Sequence, residues 1–430
     1  MTVPTTGSSS DDPARADPAP EQRRILVVLV LAQILSGAGL AAGITVGAVL
    51  AQQMLGSTSL AGVPSTLFTV GSALAALVVG AVSQSRGRRA GLGLGYAVGA
   101  VGAVGVVGAA AVGEPWLLFT AFFVYGAGTA TNLQARYAGA DLAHPARRGR
   151  AISTVLVATT VGGVVGPNLA ATTDTAAVGL GLPPLTGPFV LAAVAYGAAA
   201  VVLTVLLRPD PLLRARALLT SASDPAASAG PAAGTPAAGS GAVLAGATTM
   251  IVTQLVMVAI MTMTPVHILE HGHGIAAAGL IIGLHVAAMY LPAPLSGWAV
   301  DRFGTGPAAV LAGVVLLAAG LVAALAPGSS LVALGVALVL LGVGWNLGLL
   351  SGTTAVTGSL DPGTRARTQG RVDVAVALSG AAGGFGSGVM VAGTSYEALA
   401  LAGGLLGVVA LTVAAVVERR RNRRRVPARE

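Results

Sequence analysis

Gly80-Ala-Val-Ser-Gln-Ser-Arg-Gly87 and Gly297-Trp-Ala-Val-Asp-Arg-Phe-Gly304 share a glycine at each end, and they start 217 residues apart. The same offset carries Pro145, Arg148 and Arg150 onto Pro362, Arg365 and Arg367. Two motifs recurring at one offset predict a duplicated chain. The surrounding sequence shows what is duplicated. With 430 residues, 54% of them hydrophobic and 9% charged, the composition is that of a polytopic membrane protein and not of a soluble globule. That excludes a soluble enzyme, and no catalytic activity is expected. There is also no phosphate-binding glycine-rich loop with its lysine, so nothing supports ATP-driven pumping.

A span needs roughly 20 apolar residues. Twelve such segments fit, at 25–50, 58–82, 90–112, 116–141, 151–173, 187–207, 242–269, 275–299, 307–326, 329–354, 370–393 and 396–417. The expected fold class is an all-α membrane protein with twelve transmembrane helices in two six-helix halves, 25–207 and 242–417. Residues 1–24 read as a disordered leader and 418–430 as a basic tail. Residues 208–241, rich in Ala, Pro, Ser and Gly, read as a flexible linker.

The chain has no Lys, and its Arg residues partition by loop: 86, 88 and 89; 147, 148 and 150; 208, 214 and 216; 302; 365 and 367; and seven after Val417. The alternate loops carry only Glu114, Asp174, Glu270, Glu397 and histidines. By the positive-inside rule both termini are expected in the cytoplasm, with the protein in a bacterial inner membrane. The net charge of +8 then serves topology and lipid headgroups and calls for no nucleic acid. The expected partners are the bilayer and a small substrate or metal ion, and the chain is expected to be a monomer.

Two six-helix halves, a Gly-x-x-x-Asp-Arg-x-Gly loop and cytoplasmic termini together resemble the major facilitator superfamily over residues 25–417. That resemblance implies alternating access about a midplane site. It also implies gating loops at Gly80, Gln84 and Gly87 and at Gly297, Asp301, Arg302 and Gly304. Asp301 keeps the acid of the motif, but Gln84 replaces it in the first copy. A neutral Gln84 lacks the charge that favours a helix N-terminus, so the first-half gate is expected to be the weaker. Gly162-Gly-Val-Val-Gly-Pro167 resembles the antiporter motif of the family, with Ala170 and Ala171 in place of its glycine pair. Close helix approach by small residues explains it as well.

Ionisable groups at membrane depth invite a functional role. Arg136 lies deep in the fourth span, with Asp141 near its end, and Asp373 opens the eleventh. These three are candidates for proton coupling, or for a pair, Arg136 with Asp141 or Asp373, that locks helices together.

The residues from Met250 to Met289 hold five of the eight Met and four of the five His, and the chain has no Cys. Met257-x3-Met261 and His285-x3-Met289 each place two soft ligands on one helix face. Thioether with imidazole suits Cu(I), although Met is also ordinary core filler. Pro265, Pro292 and Pro294 place bends beside both pairs. His271 and His273 stand in an outer loop where they would first capture a cation. The paired motifs resemble the CcoA-like copper importers, a bacterial branch of the same superfamily. That resemblance implies copper uptake on Met257, Met261, His285 and Met289, with copper as cargo and no resident cofactor. The alternative is a proton-coupled carrier of a small organic solute, its methionines lining an apolar pocket.

Overall fold

A computed structural model describes residues 20–55, 63–222, 240–328 and 330–423, and among these the chain is helical throughout with no strand. The first half comprises α1 (Pro20–Leu55), α2 (Val63–Arg86), α3 (Arg88–Val112), α4 (Pro115–Ala140), α5 (Arg148–Gly179) and α6 (Gly187–Leu206). A further helix, α7 (Pro211–Ala222), follows them. The second half comprises α8 (Ser240–Glu270), α9 (Ile275–Tyr290), α10 (Ala293–Phe303), α11 (Thr305–Leu325), α12 (Leu331–Gly358), α13 (Arg365–Gly393) and α14 (Tyr396–Arg423). Two apolar cores form, one in the first half around Tyr96, Phe122 and Phe189, the other mainly in the second half around Leu316, Leu341 and Trp345 and joined by Ile152 and Leu156 of α5.

Ten helical stretches among the described residues are long and apolar enough to cross a membrane. The two expected spans outside that set are α4 and α5. Both are long enough at 26 and 32 residues, but α4 carries Asn132, Gln134 and Arg136, and α5 is rich in Gly and Thr. Helices that bury polar groups against protein can spare the hydrophobicity that lipid-facing ones need. The eighth span is broken where expected: α9 ends at Tyr290 and α10 starts at Ala293, around Pro292 and Pro294. By contrast, α8 continues through Pro265 without a break.

The duplication is visible in the backbone. Gly87 (φ 92°, ψ 166°) and Gly304 (φ 91°, ψ 167°) have matching conformations in a region that L side chains avoid. Their motif glycines therefore answer a conformational demand. Helices α5 and α13 begin at Arg148 and Arg365, again 217 residues apart.

Three boundaries need correction. The leader does not reach residue 24, because α1 starts at Pro20 and Gln22 Nε2 donates to Gly139 O at 2.7 Å. The tail is not separate at residue 418, because α14 runs on to Arg423. The linker is not wholly flexible, because α7 is a packed helix. Asp210 Oδ1 accepts from the N–H groups of Leu212 and Leu213, and Leu212 is fully buried. Residues 1–19, 223–239 and 424–430 lie outside the described residues.

Candidate functional site

Between the halves lies a cavity of about 830 Å³, walled by α2, α4, α8 and α13. From α8 it takes Gln254, Val258 and Thr262, one residue per turn. From α13 it takes Asp373 and then a run of small residues, Ala377, Gly380, Ala381 and Gly384, with Phe385 beyond. Phe68 and Leu133 face them from the first half. Asp373 is the one ionisable residue on this wall among the described residues.

Behind Asp373 stands Arg136, fully buried, its Nη2 2.8 Å from Asp373 Oδ1. The Tyr137 hydroxyl donates to the same oxygen at 2.9 Å. Arg136 also donates from Nε to Thr353 Oγ1 at 3.1 Å and from Nη1 to Leu133 O. Asp373 Oδ2, in contrast, is buried without a hydrogen-bond partner. Gln254 is held by Trp345, whose Nε1 donates to Gln254 Oε1 at 2.7 Å. That bond leaves the Gln254 amide nitrogen on the α13 side, near Gly380.

The arginine-bearing end of the cavity is sealed by two related contacts. Gln84 Nε2 donates to Pro362 O (3.1 Å) and Gly363 O (2.6 Å), while Gln84 Oε1 accepts from Ala366 N (2.8 Å) and Arg367 N (3.2 Å). Its repeat counterpart, Asp301, accepts from Gly149 N (2.7 Å) and Arg150 N (3.0 Å). Each loop thus caps the N-terminus of a helix in the opposite half. Glycine permits the approach on both sides: a Cβ at Gly80 would lie 2.9 Å from Ala366 O, and one at Gly297 2.6 Å from Gly149 O. Arg302 is exposed beside Asp301.

Two helical halves around a central cavity, with paired loop latches, agree with what the sequence motifs imply, and the family model labelled Major Facilitator Superfamily matches residues 29–289 and again 242–430. The chain belongs to the Major Facilitator Superfamily. It is 53% identical over 391 residues, covering 91% of both chains, to the "Uncharacterized MFS-type transporter YdeG" of Bacillus subtilis. It is 29% identical over 88% of its length to the riboflavin transporter RfnT of Brucella anthropi, of which it covers 91%. Among solved structures, the human organic anion transporter MFSD10 superposes with a TM-score of 0.74 at 16% identity, over 92% of this chain and 100% of that one. The proton:xylose symporter XylE superposes with a TM-score of 0.67 at 16% identity, over 92% and 95% of the two chains. This superfamily member is therefore a multi-pass membrane transporter of the secondary type.

The structure sorts the sequence-predicted residues into separate places. Arg136 and Asp373 meet, but Asp141 does not join them. It pairs instead with Arg88 (2.7 Å) and Arg365 (3.4 Å) beside the Gln84 latch, because α4 carries it about a turn past Arg136. Met257 and Met289 are buried in one apolar cluster of the second half, with Met261 packed against it. His285 is buried as well, its Nδ1 2.8 Å from Leu338 O and its Nε2 without a partner. None of these four residues lines the central cavity, because α8 turns Gln254, Val258 and Thr262 toward it and Met257 into its own half. His271 is tied to its own helix end through Nδ1 and His267 O at 2.8 Å, and His273 is half-buried nearby. No three His, Asp or Glu side chains among the described residues are grouped to hold a metal. The antiporter-like segment packs helices: a Cβ at Gly162 would lie 2.8 Å from Gly37 Cα in α1.

The residues that sequence reasoning missed are Tyr137, Thr353 and the α7 side chains Asp210 and Arg216. For α7 a signal was present, since Asp210 followed by Pro211 is a helix cap with proline at the first helical position. Thr353 also had one, because it stands 217 residues after Arg136. Nothing marked Tyr137 beyond its place next to Arg136.

Proposed function

We propose that this chain carries a small organic solute through the central cavity by alternating access, with the arginine-bearing end in the cytoplasm and Asp373 coupling the cycle to protons. The observation that carries this reading is Asp373, which lines a cavity of about 830 Å³ and has a buried carboxylate oxygen without a hydrogen-bond partner among the described residues. A space of that volume suits an organic molecule of ordinary size. The arginine-bearing end is sealed on both sides of the axis, so this conformation opens outward. The relative from Brucella anthropi, named for riboflavin, favours an organic cargo over a metal. Proteoliposomes holding a pH-sensitive dye test the proposal when small-molecule cell extract is added outside. The expected result is solute-dependent proton flux that disappears in Asp373→Asn and that copper salts do not evoke. Normal flux in that variant would remove Asp373 from the coupling path.

A second reading, copper carriage by Met257, Met261, His285 and Met289, draws on one observation: the unpartnered Nε2 of His285 beside a methionine-bearing cluster. It needs a route to those side chains other than the described cavity. Metal analysis of purified protein decides it, since copper content equal in wild type, Met261→Ala and His285→Ala retires the site.

A further inference from the structure

The charge pattern around the cavity restricts what it can bind. Among the described residues, the charge it shows to a guest is one carboxylate. The counter-ion of that carboxylate, Arg136, is fully buried and spends its donors on Asp373, Thr353 Oγ1, Leu133 O and the Tyr137 hydroxyl. Arg136 is not part of the cavity wall, so an anion entering the cavity meets no cation among the described lining residues. It does meet the carboxylate-bearing Asp373 on the wall, and a desolvated like charge costs several kcal/mol. A guest with N–H donors meets the opposite situation, because Asp373 Oδ2 is a buried acceptor with no partner among the described residues. The rest of the wall is largely apolar, with Phe68, Leu133, Val258, Val376 and Phe385, and the small residues of α13 leave a flat surface.

We infer that the cavity takes an amphipathic organic cation, an apolar body carrying a protonated amine that binds Asp373 Oδ2 in exchange for a proton. The inference rests on the organic-solute reading above and names its substrate class. The exchange balances. With cargo bound, the ammonium N–H groups donate to the ionised carboxylate, and the cluster of Arg136, Asp373 and cargo carries one net positive charge. With the cargo gone and a proton on Oδ2, the cluster of Arg136 and neutral Asp373 carries the same charge. No bond in the cargo breaks, and one proton leaves as one ammonium enters. The groups that face this carboxylate are Arg136 and Tyr137 from α4 and Arg88 at the start of α3, with Tyr290 of α9 acting on Arg136. From α8 the cavity wall has only the uncharged Gln254, Val258 and Thr262, and from α2 it has no titratable residue.

A matched set of fluorescent probes tests this on full-length protein in nanodiscs: dansylcadaverine with its free ammonium, its N-acetylated form, and a dansyl amino acid with a free carboxylate. The ammonium probe is expected to bind at least tenfold more tightly than the other two. Its affinity should fall as the pH is lowered from 8 to 5. In Asp373→Asn both the preference and the pH dependence should vanish. Because that change also disturbs Arg136, a second variant adds a charge without removing a partner: Ala377→Lys, on the same wall, should abolish ammonium binding and admit the carboxylate probe. Size-exclusion profiles check that both variants are folded. Carboxylate binding equal to ammonium binding in wild type overturns the charge class while leaving organic-solute carriage standing. Retention of the preference in Asp373→Asn overturns the role of Oδ2. If no probe binds and copper does, the organic-solute reading falls with it.

Discussion

At Gln84 the first half holds the second through four hydrogen bonds and no charge, whereas at Asp301 the second half holds the first through two hydrogen bonds and a carboxylate. The partners correspond residue for residue: Gln84 caps 366 and 367, and Asp301 caps 149 and 150, each 217 positions earlier. What the duplication preserves is a backbone geometry, a helix N-terminus presented to a loop of the opposite half. What fills it is open to exchange. A carboxylate only accepts, so it serves the helix N–H groups and gains from the helix dipole. An amide also donates, so Gln84 reaches the carbonyls of Pro362 and Gly363 as well. The Gln84 side has further support: Arg216 of α7 donates to Gln84 O (2.7 Å) and Pro362 O (3.0 Å), and Arg88, Asp141 and Arg365 form a buried ion cluster next to it. Asp301 forms one ion pair among the described residues, with Arg150, half exposed and 4.0 Å away. Charge alone ranks the Gln84 side the weaker, and bond count ranks it the stronger.

Three variants separate those rankings. The largest effect is expected from Asp141→Ala, which strands Arg88 and Arg365 in the interior. Removing one partner of a buried pair costs about 3–5 kcal/mol, to be read as a lowered unfolding temperature in detergent. A loss below about 1 kcal/mol would show that the ion cluster contributes little to this side. Next comes Gln84→Glu, which restores an acid at the first-half position. Charge counting expects a tighter latch. The geometry expects a looser one, by about 1–3 kcal/mol, because a second carboxylate oxygen would face two carbonyls left without their donor. Since the chain has no Cys, a single Ala76→Cys substitution at the cavity floor reports the result through faster thiol labelling from the arginine-bearing side. The smallest effect belongs to Asp301→Asn, where the shape is kept and only the charge facing α5 is lost, for about 0.3–1 kcal/mol. Unfolding temperature measured against added KCl should show a salt dependence in wild type that this variant reduces.

The offset of 217 made the fold legible, because a glycine with positive φ and a helix-capping residue are local requirements and leave local signatures. Contacts across the halves leave none. Asp141 and Asp373 are equally plausible partners for Arg136 on paper, and only the packing of α4 against α13 selects Asp373. The seventh span shows the same limit. Its Met and Gln254 look like one stripe, yet Gln254, Val258 and Thr262 face the cavity while Met257 turns into the second-half core. Periodicity reports that a helix has faces but not which neighbour each face meets. The α7 helix was obscured by the Ala- and Pro-rich stretch around it, although Asp210-Pro211 marked its start.

A wall with one ionisable group also sets a thermodynamic ceiling. If Asp373 passes one proton for each cargo cation, the exchange moves no net charge, and membrane voltage does no work on it. A pH difference of one unit then sustains at most about a tenfold concentration ratio of cargo. A steeper gradient would demand a second titrating residue, which the cavity wall does not have among the described residues.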